Sequence, residues 1–519
     1  MDAPTTASSL LLAALVSLVC CYRLISYYYR LETNAVVPRE WPVLGHLVPV
    51  IANIHRLHDW VTGGLAAQGH NFELRGGVTG VRYLCTCDPS NVRHIFTSNF
   101  ANYPKGDHFA KILDLLGRGI LTADGDTWRY QRTMIQTLFS GSRFRAFAAR
   151  CSRDEVEESL LPLLADAADA GRSCDLQDVF LRLSSDVSCG IVLGVDPGCL
   201  APDLPEVPFS RAVDDASETF FLRHVVPAPW WKLMRRLGVG SERKMAAARK
   251  TIDGFVAEAI AQRRRRTDKL NGDSADDLLS SFLCHDDNFS DDFLRDMTVT
   301  LLIAGRDGTG VTLSWFFYLL SKNPRVEQRL LHELSLLIAS RRDDNNKDTV
   351  GGFVSFDASE LGSLVYLHAA LCECLRLYPA IPFEHKSAVA DDVLPSGHKV
   401  KAGETVLVFN YSMGRMEGVW GKDCTEFVPE RWITQDGKLR YEPSYKFFAF
   451  NTGPRTCLGK DLAFVQMKTA AAAVLWNFAV EVVPEHVVQP KLAIILYMKN
   501  GLAVRVTRRN YVVLQQATS

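Results

Sequence analysis

Phe450-Asn451-Thr452-Gly453-Pro454-Arg455-Thr456-Cys457-Leu458-Gly459 is the stretch that decides the fold. Its pattern is F-x-x-G-x-R-x-C-x-G, and each specified residue type suits a cysteine thiolate bound to haem iron. Cysteine is a soft, electron-rich axial ligand that favours cleavage of an O–O bond. The apolar run after it (Leu462, Ala463, Phe464, Met467) predicts a helix. The sulfur of Cys457 then lies near a helix N-terminus, where the dipole and free N–H groups stabilise a thiolate. Gly453 allows a tight turn before the ligand, and Gly459 lets the helix lie close to a flat macrocycle. Arg455 can pair with a haem propionate, and Phe450 opens the pattern as a further cofactor contact. A lone cysteine is usually a buried packing residue, but five specified positions in one short stretch argue against that here.

The stretch resembles the haem-ligand signature of the cytochrome P450 family, the haem-thiolate monooxygenases, and matches it at every specified position. The resemblance implies a mainly α fold with small β-sheets, haem b (iron protoporphyrin IX) as cofactor, and Cys457 as the metal ligand. It extends over about Pro38 to Arg505. Finer matches at Gly414-Arg415-Met416, Ser314-Trp315-Phe316-Phe317 and Tyr497-Met498-Lys499-Asn500-Gly501-Leu502 resemble a plant subgroup, the long-chain fatty-acid and alkane hydroxylases.

The composition is that of an ordinary globular protein. With a net charge of −1 over 519 residues, nothing is basic enough to predict a nucleic-acid partner. Cys20, Cys21, Cys85, Cys87, Cys372 and Cys374 form close pairs, but none makes a C-x-x-C frame. Zinc and disulfide frameworks are therefore poor readings, and a reducing compartment fits better. Cys85 and Cys87 flank Thr86 in a strand-like run and read as packing residues on one side of it.

The N-terminus differs from the rest. Leu10 to Tyr29 is almost wholly apolar, interrupted by Arg23, and long enough to span a bilayer. Its tyrosines suit the membrane interface, and Arg23 with Arg30 favours a cytosolic body. A cleaved signal peptide is the rival; no basic region precedes the run and no A-x-A-like site follows it. The expectation is an N-terminal transmembrane helix within residues 1–30 and one haem-binding catalytic domain over 31–519. That places the protein in the endoplasmic reticulum membrane, single-pass, with the catalytic domain cytosolic. Pro38-Arg39-Glu40-Trp41-Pro42 reads as a stiff connector.

From Gly125 to about Arg342 the pattern is mostly helical, and the longest helix is expected from Asp291 to Lys322, stopped by Asn323-Pro324. Strands are expected at Tyr83–Cys85, Thr405–Phe409, Ala479–Val483 and Leu502–Val506. Arg263 to Asp276 and Arg341 to Gly352 read as exposed loops, with Arg263–Arg266 as a solvated helix end.

Three further motifs resemble the family's. Glu373-Cys374-Leu375-Arg376 is E-x-x-R on a helix expected over Gly362 to Leu377, and apolar flanks imply a partly buried pair that needs another partner. The resemblance makes Arg431, in Pro429-Glu430-Arg431-Trp432, that partner in a structural triad. Trp128-Arg129-Tyr130-Gln131-Arg132 matches W-x-x-x-R, with Trp128 and Arg132 on one helix face able to donate to propionates. Lys386 falls near another basic position. Ala304-Gly305-Arg306-Asp307-Gly308-Thr309 resembles the oxygen-activation stretch. Ala304 and Gly305 are small enough to let the helix pass close to haem, and Asp307 can relay protons. Gly308 stands where the family usually has a threonine. Two readings follow: proton delivery through water, Thr309 or Thr312, or a flexible, kinked helix with no catalytic hydroxyl. Ile303, Ala304, Ile381, Pro382, Phe383 and Leu496 are expected as apolar pocket walls.

The catalytic candidates are thus Asp307 and Thr309, and the cofactor contacts Trp128, Arg132, Ala304, Arg455, Phe450 and Gly459. No nicotinamide or flavin fingerprint is evident, so NADPH-cytochrome P450 reductase is the expected electron donor. The expected reaction is hydroxylation of a lipid-like, long-chain aliphatic substrate with O2. The alternatives are a haem-thiolate isomerase or dehydratase of a lipid hydroperoxide, a catalytically silent haem-binding protein, or a membrane-tethered scaffold without haem.

Overall fold

Asp291 to Lys322 forms one uninterrupted helix, and its ends explain its bounds. The Ser290 hydroxyl accepts a hydrogen bond from the Phe293 N–H at 3.2 Å, and Asp291 and Asp292 stand in the first turn, where the helix dipole favours them. Asn323 leaves the helical conformation just before Pro324. The computed structural model describes residues 39–41, 43–77, 82–267, 276–285, 289–341 and 352–509, with Arg23 alone before them. The expected anchor, Leu10 to Tyr29, therefore lies outside the described residues apart from Arg23, as do most of both expected polar loops. Among the described residues no helix is long and apolar enough to cross a membrane.

Seven helices frame the site: α1 (Gly125–Ser140), α2 (Leu176–Leu193), α3 (Pro208–Val225), α4 (Gly240–Thr267), α5 (Asp291–Lys322), α6 (Val365–Leu377) and α7 (Lys460–Asn477). Helix α5 runs through the core against α2, and nearly every residue from Thr309 to Phe317 is buried. The strands are β1 (Asn71–Arg75), β2 (Arg82–Thr86), β3 (Ser173–Asp175), β4 (Phe383–Ser387), β5 (Asp392–Val393), β6 (Lys399–Val400), β7 (Thr405–Phe409), β8 (Phe478–Val482) and β9 (Ala503–Arg508). They make a four-stranded sheet in the order β1-β2-β7-β4, a three-stranded sheet β3-β9-β8, and the pair β5-β6. Strand β7 pairs parallel to β2 (Cys85 opposite Leu407) and antiparallel to β4 (His385 opposite Leu407). The chain is mainly α with small sheets, as expected.

The four expected strand runs correspond to β2, β7, β8 and β9. Cys85 and Cys87 are fully buried, as packing residues should be. Helix α6 begins at Val365 and not at Gly362: Asp357 and Glu360 form a capping box that starts a separate turn at Ala358–Leu361, and the chain breaks before α6. Helix α4 continues to Thr267, so the segment from Arg263 is not a loop. Arg263 is tucked in, with Asp277 at 3.0 Å and the Leu193 carbonyl as partners, and Arg264 pairs with Asp291 at 2.8 Å. Only Arg263 is drawn in by its partners; Arg264, 40% exposed, and the exposed Arg265 keep the solvated helix end that the charge run implied.

The three glycines of α5 divide by what surrounds them. A Cβ on Gly305 would lie 2.4 Å from the Ser188 hydroxyl, and one on Gly310 would lie 2.9 Å from the Phe180 carbonyl. Both let α5 lie close to α2, so Gly305 serves helix packing and not approach to haem. A Cβ on Gly308 would meet nothing within 4 Å. Gly308→Ala should therefore stabilise the protein by about 0.5–1 kcal/mol through helix propensity, while Gly310→Ala should destabilise it by about 1–3 kcal/mol through overpacking. Thermal unfolding of the two haem-loaded variants, side by side, checks the opposite signs.

Candidate active site

The ligand loop is set by backbone demands. Asn451 and Gly453 both have positive φ, 62° and 65°. At Gly453 a side chain is also excluded by space, because a Cβ would lie 2.0 Å from the Phe96 carbonyl. The Cys457 N–H then donates to the Phe450 carbonyl at 2.8 Å, closing the loop, and α7 follows from Lys460. Phe450 packs on Phe464 of α7 at 5.4 Å between ring centroids. The Cys457 thiol sits deep in the fold but is open on one side; among the described cysteines only Cys284 and Cys457 are exposed. Its surroundings push its pKa up by burial, while the Gly459 N–H, Arg132 and Lys460 pull it down. An electropositive, half-enclosed sulfur is the setting of a ligand or nucleophile.

A cluster of cations lies beside this loop. The Arg455 guanidinium stacks over the Trp128 ring at 4.5 Å, and Arg132 approaches the same ring at 5.8 Å. Arg455 donates to the Ala123 carbonyl at 2.7 Å and to Asp124 at 2.5 Å, but its Nε has no partner. Lys386 is fully buried between Phe96 and Phe100, and its ammonium has no partner at all. Burial pushes the Lys386 pKa well below its usual value, and Lys105 and Arg455 push it further. Arg132 makes no ion pair or hydrogen bond among the described residues. The cations Arg132, Arg455, Lys386 and Lys105 outnumber the nearby carboxylates Asp124 and Glu384, and this surplus of positive charge is costly unless an anion binds.

On α5, Ala304 is exposed between buried Leu302 and Arg306, so this face of a core helix borders an open cavity. Gly308 is one turn on, on the same face. Asp307 lies to the side, 1% exposed, and accepts a hydrogen bond from Arg306 at 2.7 Å. Burial pushes its carboxyl up to about 6, against the pull of Arg306. Thr309 is not on this face: its hydroxyl donates to Gln466 at 3.1 Å, between α5 and α7. The Thr312 hydroxyl donates to the Gly308 carbonyl at 2.6 Å.

Behind the loop, Glu373 of α6 is fully buried and satisfied on both oxygens. It receives Arg376 at 2.7 and 2.8 Å, the Trp432 indole at 2.8 Å, the Val428 N–H at 3.0 Å and Arg431 at 3.4 Å. Arg376 also donates to the carbonyls of Gly414, Cys424 and Glu426. One buried carboxylate thus ties α6 to the segment that leads into the ligand loop.

A family model described as Cytochrome P450 matches residues 36–504. The chain belongs to the cytochrome P450 family. It is 42% identical to noroxomaritidine synthase of Narcissus aff. pseudonarcissus MK-2014, over 95% of this chain and 96% of that protein. It is 43% identical to cytochrome P450 86B1 of Arabidopsis thaliana, over 91% of this chain and 85% of that protein. It is 40% identical to alkane hydroxylase MAH1 of Arabidopsis thaliana, over 95% of this chain and 97% of that protein.

As a P450 the protein is an oxidoreductase with haem b as cofactor. The residues present fit that group: the unpartnered Lys386 ammonium, the Arg455 Nε and Arg132 offer what its two propionates require. The P450 fold brings Cys457, Phe450, Gly459, Trp128, Arg132 and Arg455 into one region, with Ala304 on an open helix face. Of the expected pocket walls, Ile381 is 41% exposed, but Leu496 is fully buried. Phe383 instead lines a separate cavity of about 150 Å³ together with Trp60, Val61, Phe221, Leu407 and His224. Strand β4 divides the two regions, because alternate residues point to opposite sides of it. His385, packed on His108 and His224 at 5.5 and 5.6 Å, shares the cavity side with Phe383, while Lys386 meets Phe96 on the other. Sequence reading had no signal for this histidine group, whose members are far apart in the chain.

Glu373→Ala should leave Arg376 as an unpaired buried charge, at about 3–5 kcal/mol. The expected result is a large loss of protein giving the carbon-monoxide difference band, with a lowered thermal unfolding midpoint; Asp423→Ala, at the exposed rim of the same network, should leave both nearly unchanged.

Proposed function

We propose that this P450 hydroxylates a long-chain aliphatic substrate, such as a fatty acid, an alkane or a related lipid, using O2 and electrons from NADPH-cytochrome P450 reductase. The observation that carries the reading is the apolar lining of the cavity around Phe383, across strand β4 from the cation cluster. The likeness to alkane hydroxylase MAH1 over 95% of the chain supports it. A second reading takes a substrate akin to that of noroxomaritidine synthase. The likeness to that protein, at 42% identity against 40% for MAH1, favours it, as do His58, His108 and His224 on the cavity wall.

In this reading Cys457 would ligate the iron. Trp128, Arg132, Arg455 and Lys386 would hold the propionates, Phe450 and Gly459 would lie against the macrocycle, and Ala304 would leave space for oxygen and substrate. Haem b, when bound, supplies oxygen activation. The chain's own part is to orient the substrate, exclude water and hold a proton at Asp307, whose raised pKa suits that task. Thr309, turned to Gln466, is left with a packing role.

We place the catalytic domain on the cytosolic face of the endoplasmic reticulum membrane, anchored through Leu10 to Tyr29. Support comes also from the helix Ala228–Leu237, where Trp230, Leu233 and Leu237 are 62%, 47% and 63% exposed beside Lys232, Arg235 and Arg236. An exposed apolar face with basic flanks suits a lipid interface.

Turnover with reductase and a panel of lipids of varied chain length tests the substrate class. Hydroxylated lipid is expected; product from a lipid hydroperoxide without reductase would point to an isomerase or dehydratase, and no product from any of them to a silent haem protein. Cys457→Ser should abolish the red-shifted carbon-monoxide band and all turnover, and an unchanged spectrum would remove Cys457 from the iron. Deleting the first thirty or so residues should lower the membrane-bound fraction without loss of haem; undiminished membrane recovery in a flotation assay would assign the anchoring to the Ala228–Leu237 face.

A further inference from the structure

Asp307 has one oxygen, Oδ1, paired with Arg306, while Oδ2 makes no direct hydrogen bond. A buried carboxylate oxygen without a donor is costly. Helix α5 supplies none. Residue 308 is glycine, the Thr309 hydroxyl is committed to Gln466, and the Thr312 hydroxyl to the Gly308 carbonyl. The hydroxyl that stands beside Asp307 comes from Tyr497, which is 3% exposed and whose Oη likewise makes no direct hydrogen bond. The Asp307 carboxyl and the Tyr497 hydroxyl are thus buried neighbours, each with an oxygen that makes no direct hydrogen bond.

Tyr497 is held from several sides. The Trp315 indole of α5 donates to the Leu496 carbonyl at 2.7 Å, the Lys491 N–H donates to the Tyr497 carbonyl at 2.7 Å, and the Met498 N–H donates to Gln177 of α2 at 2.7 Å. Helix α3 adds Asp214 and Ser217, nearly one turn apart. Asp214 pairs with Arg306 at 3.0 Å, and Ser217 neighbours the Tyr497 hydroxyl. The Asp214 side chain is 39% exposed, so the cluster reaches solvent.

We propose that Tyr497 is a positioning residue for Asp307, giving the acid, from the C-terminal segment, the hydroxyl contact that a side chain at position 308 cannot give. The proposal rests on the proton-holding role given to Asp307 above. The groups facing Asp307 are Arg306, Asp214 and the Tyr497 hydroxyl. Arg306 and Tyr497 draw its pKa down; burial and Asp214 push it up. Without the hydroxyl the carboxyl should stay protonated to higher pH.

The test uses the full-length, haem-loaded protein. Infrared difference spectra against Asp307→Asn identify the protonated-carboxyl band of Asp307, read without turnover. In Tyr497→Phe its titration midpoint should rise by about one pH unit or more, the effect of losing a hydrogen bond to a charged group. Product formed per NADPH should fall and peroxide release should rise, and Gly308→Thr in that background should restore much of the coupling. A midpoint that does not move overturns the proposal. A midpoint that moves with unchanged coupling keeps the Tyr497–Asp307 contact and overturns the proton role of Asp307 instead. Should Tyr497→Phe fail to retain haem, Gly308→Thr alone decides: little change in coupling is expected if Tyr497 already serves the acid, and a large gain overturns it.

Discussion

The Glu373 carboxylate is the point on which the site's geometry depends. It is buried without exposure, so its charge is tolerable only because two guanidinium groups, an indole N–H and a backbone N–H converge on it. Arg376 comes from α6 itself, and Val428, Arg431 and Trp432 come from the short stretch that follows on the route to the ligand loop. Arg376 reaches three carbonyls of the 414–426 segment, and Arg431 reaches those of Trp420 and Asp423. That segment has almost no regular secondary structure, so side-chain bonds replace the ladder that would otherwise hold it. A loop that must place one sulfur accurately is thereby braced by charge, where neither helix nor sheet is available.

The opposite condition holds on the cofactor side. Around Glu373 every charge is answered within the protein; around Trp128 and Lys386 the cations Arg132, Arg455, Lys386 and Lys105 outnumber Asp124 and Glu384. Lys386 is the extreme case, a buried ammonium against the faces of Phe96 and Phe100 with no hydrogen-bond partner. Aromatic faces attract a cation, but they recover only a fraction of its hydration. The protein alone therefore holds unneutralised positive charge at this place, which a dianionic cofactor would offset. Binding there would be coupled to folding in the same way as for a structural metal, since the group that fits the site would also stabilise it.

Much of this was legible in the residues. The ligand loop is a local pattern, and so are the bounds of α5, which rest on Ser290 and on Asn323-Pro324. Strands β2, β7, β8 and β9 are apolar enough to be seen. Strand β4 is not, because Phe-Glu-His-Lys-Ser is four-fifths polar. Its His385 and Lys386 are buried on opposite sides of it, one towards the histidine group and the other against Phe96 and Phe100. The start of α6 was lost to a capping box one turn upstream. Gly305 was assigned to the haem face, since nothing local reveals that Ser188 lies against it. Tyr497 stood within a quoted motif, yet its place beside Asp307 follows from tertiary contacts through Trp315 and Gln177. Local chemistry was readable; which side of an element faces which neighbour was not.

Position 308 shows how the two levels meet. Ala304 and Gly308 leave the smallest possible side chains on the open face of α5, so the helix backbone itself borders the cavity. That arrangement yields space, and a Cβ at 308 would still find none of its surroundings within 4 Å. It also removes the hydroxyl that a threonine would set next to the acid. A polar group lost from a helix cannot be replaced by its sequence neighbours when each is rotated roughly 100° away, as Thr309 demonstrates by serving Gln466. Replacement must come across a packing interface, from a segment rigid enough to hold a hydroxyl in place. The stretch around Tyr497, pinned to α5 and α2 through main-chain hydrogen bonds, meets that requirement. The glycine and the buried tyrosine are thus read most simply as two halves of one adjustment, space gained on one side of the helix and polarity supplied from the other.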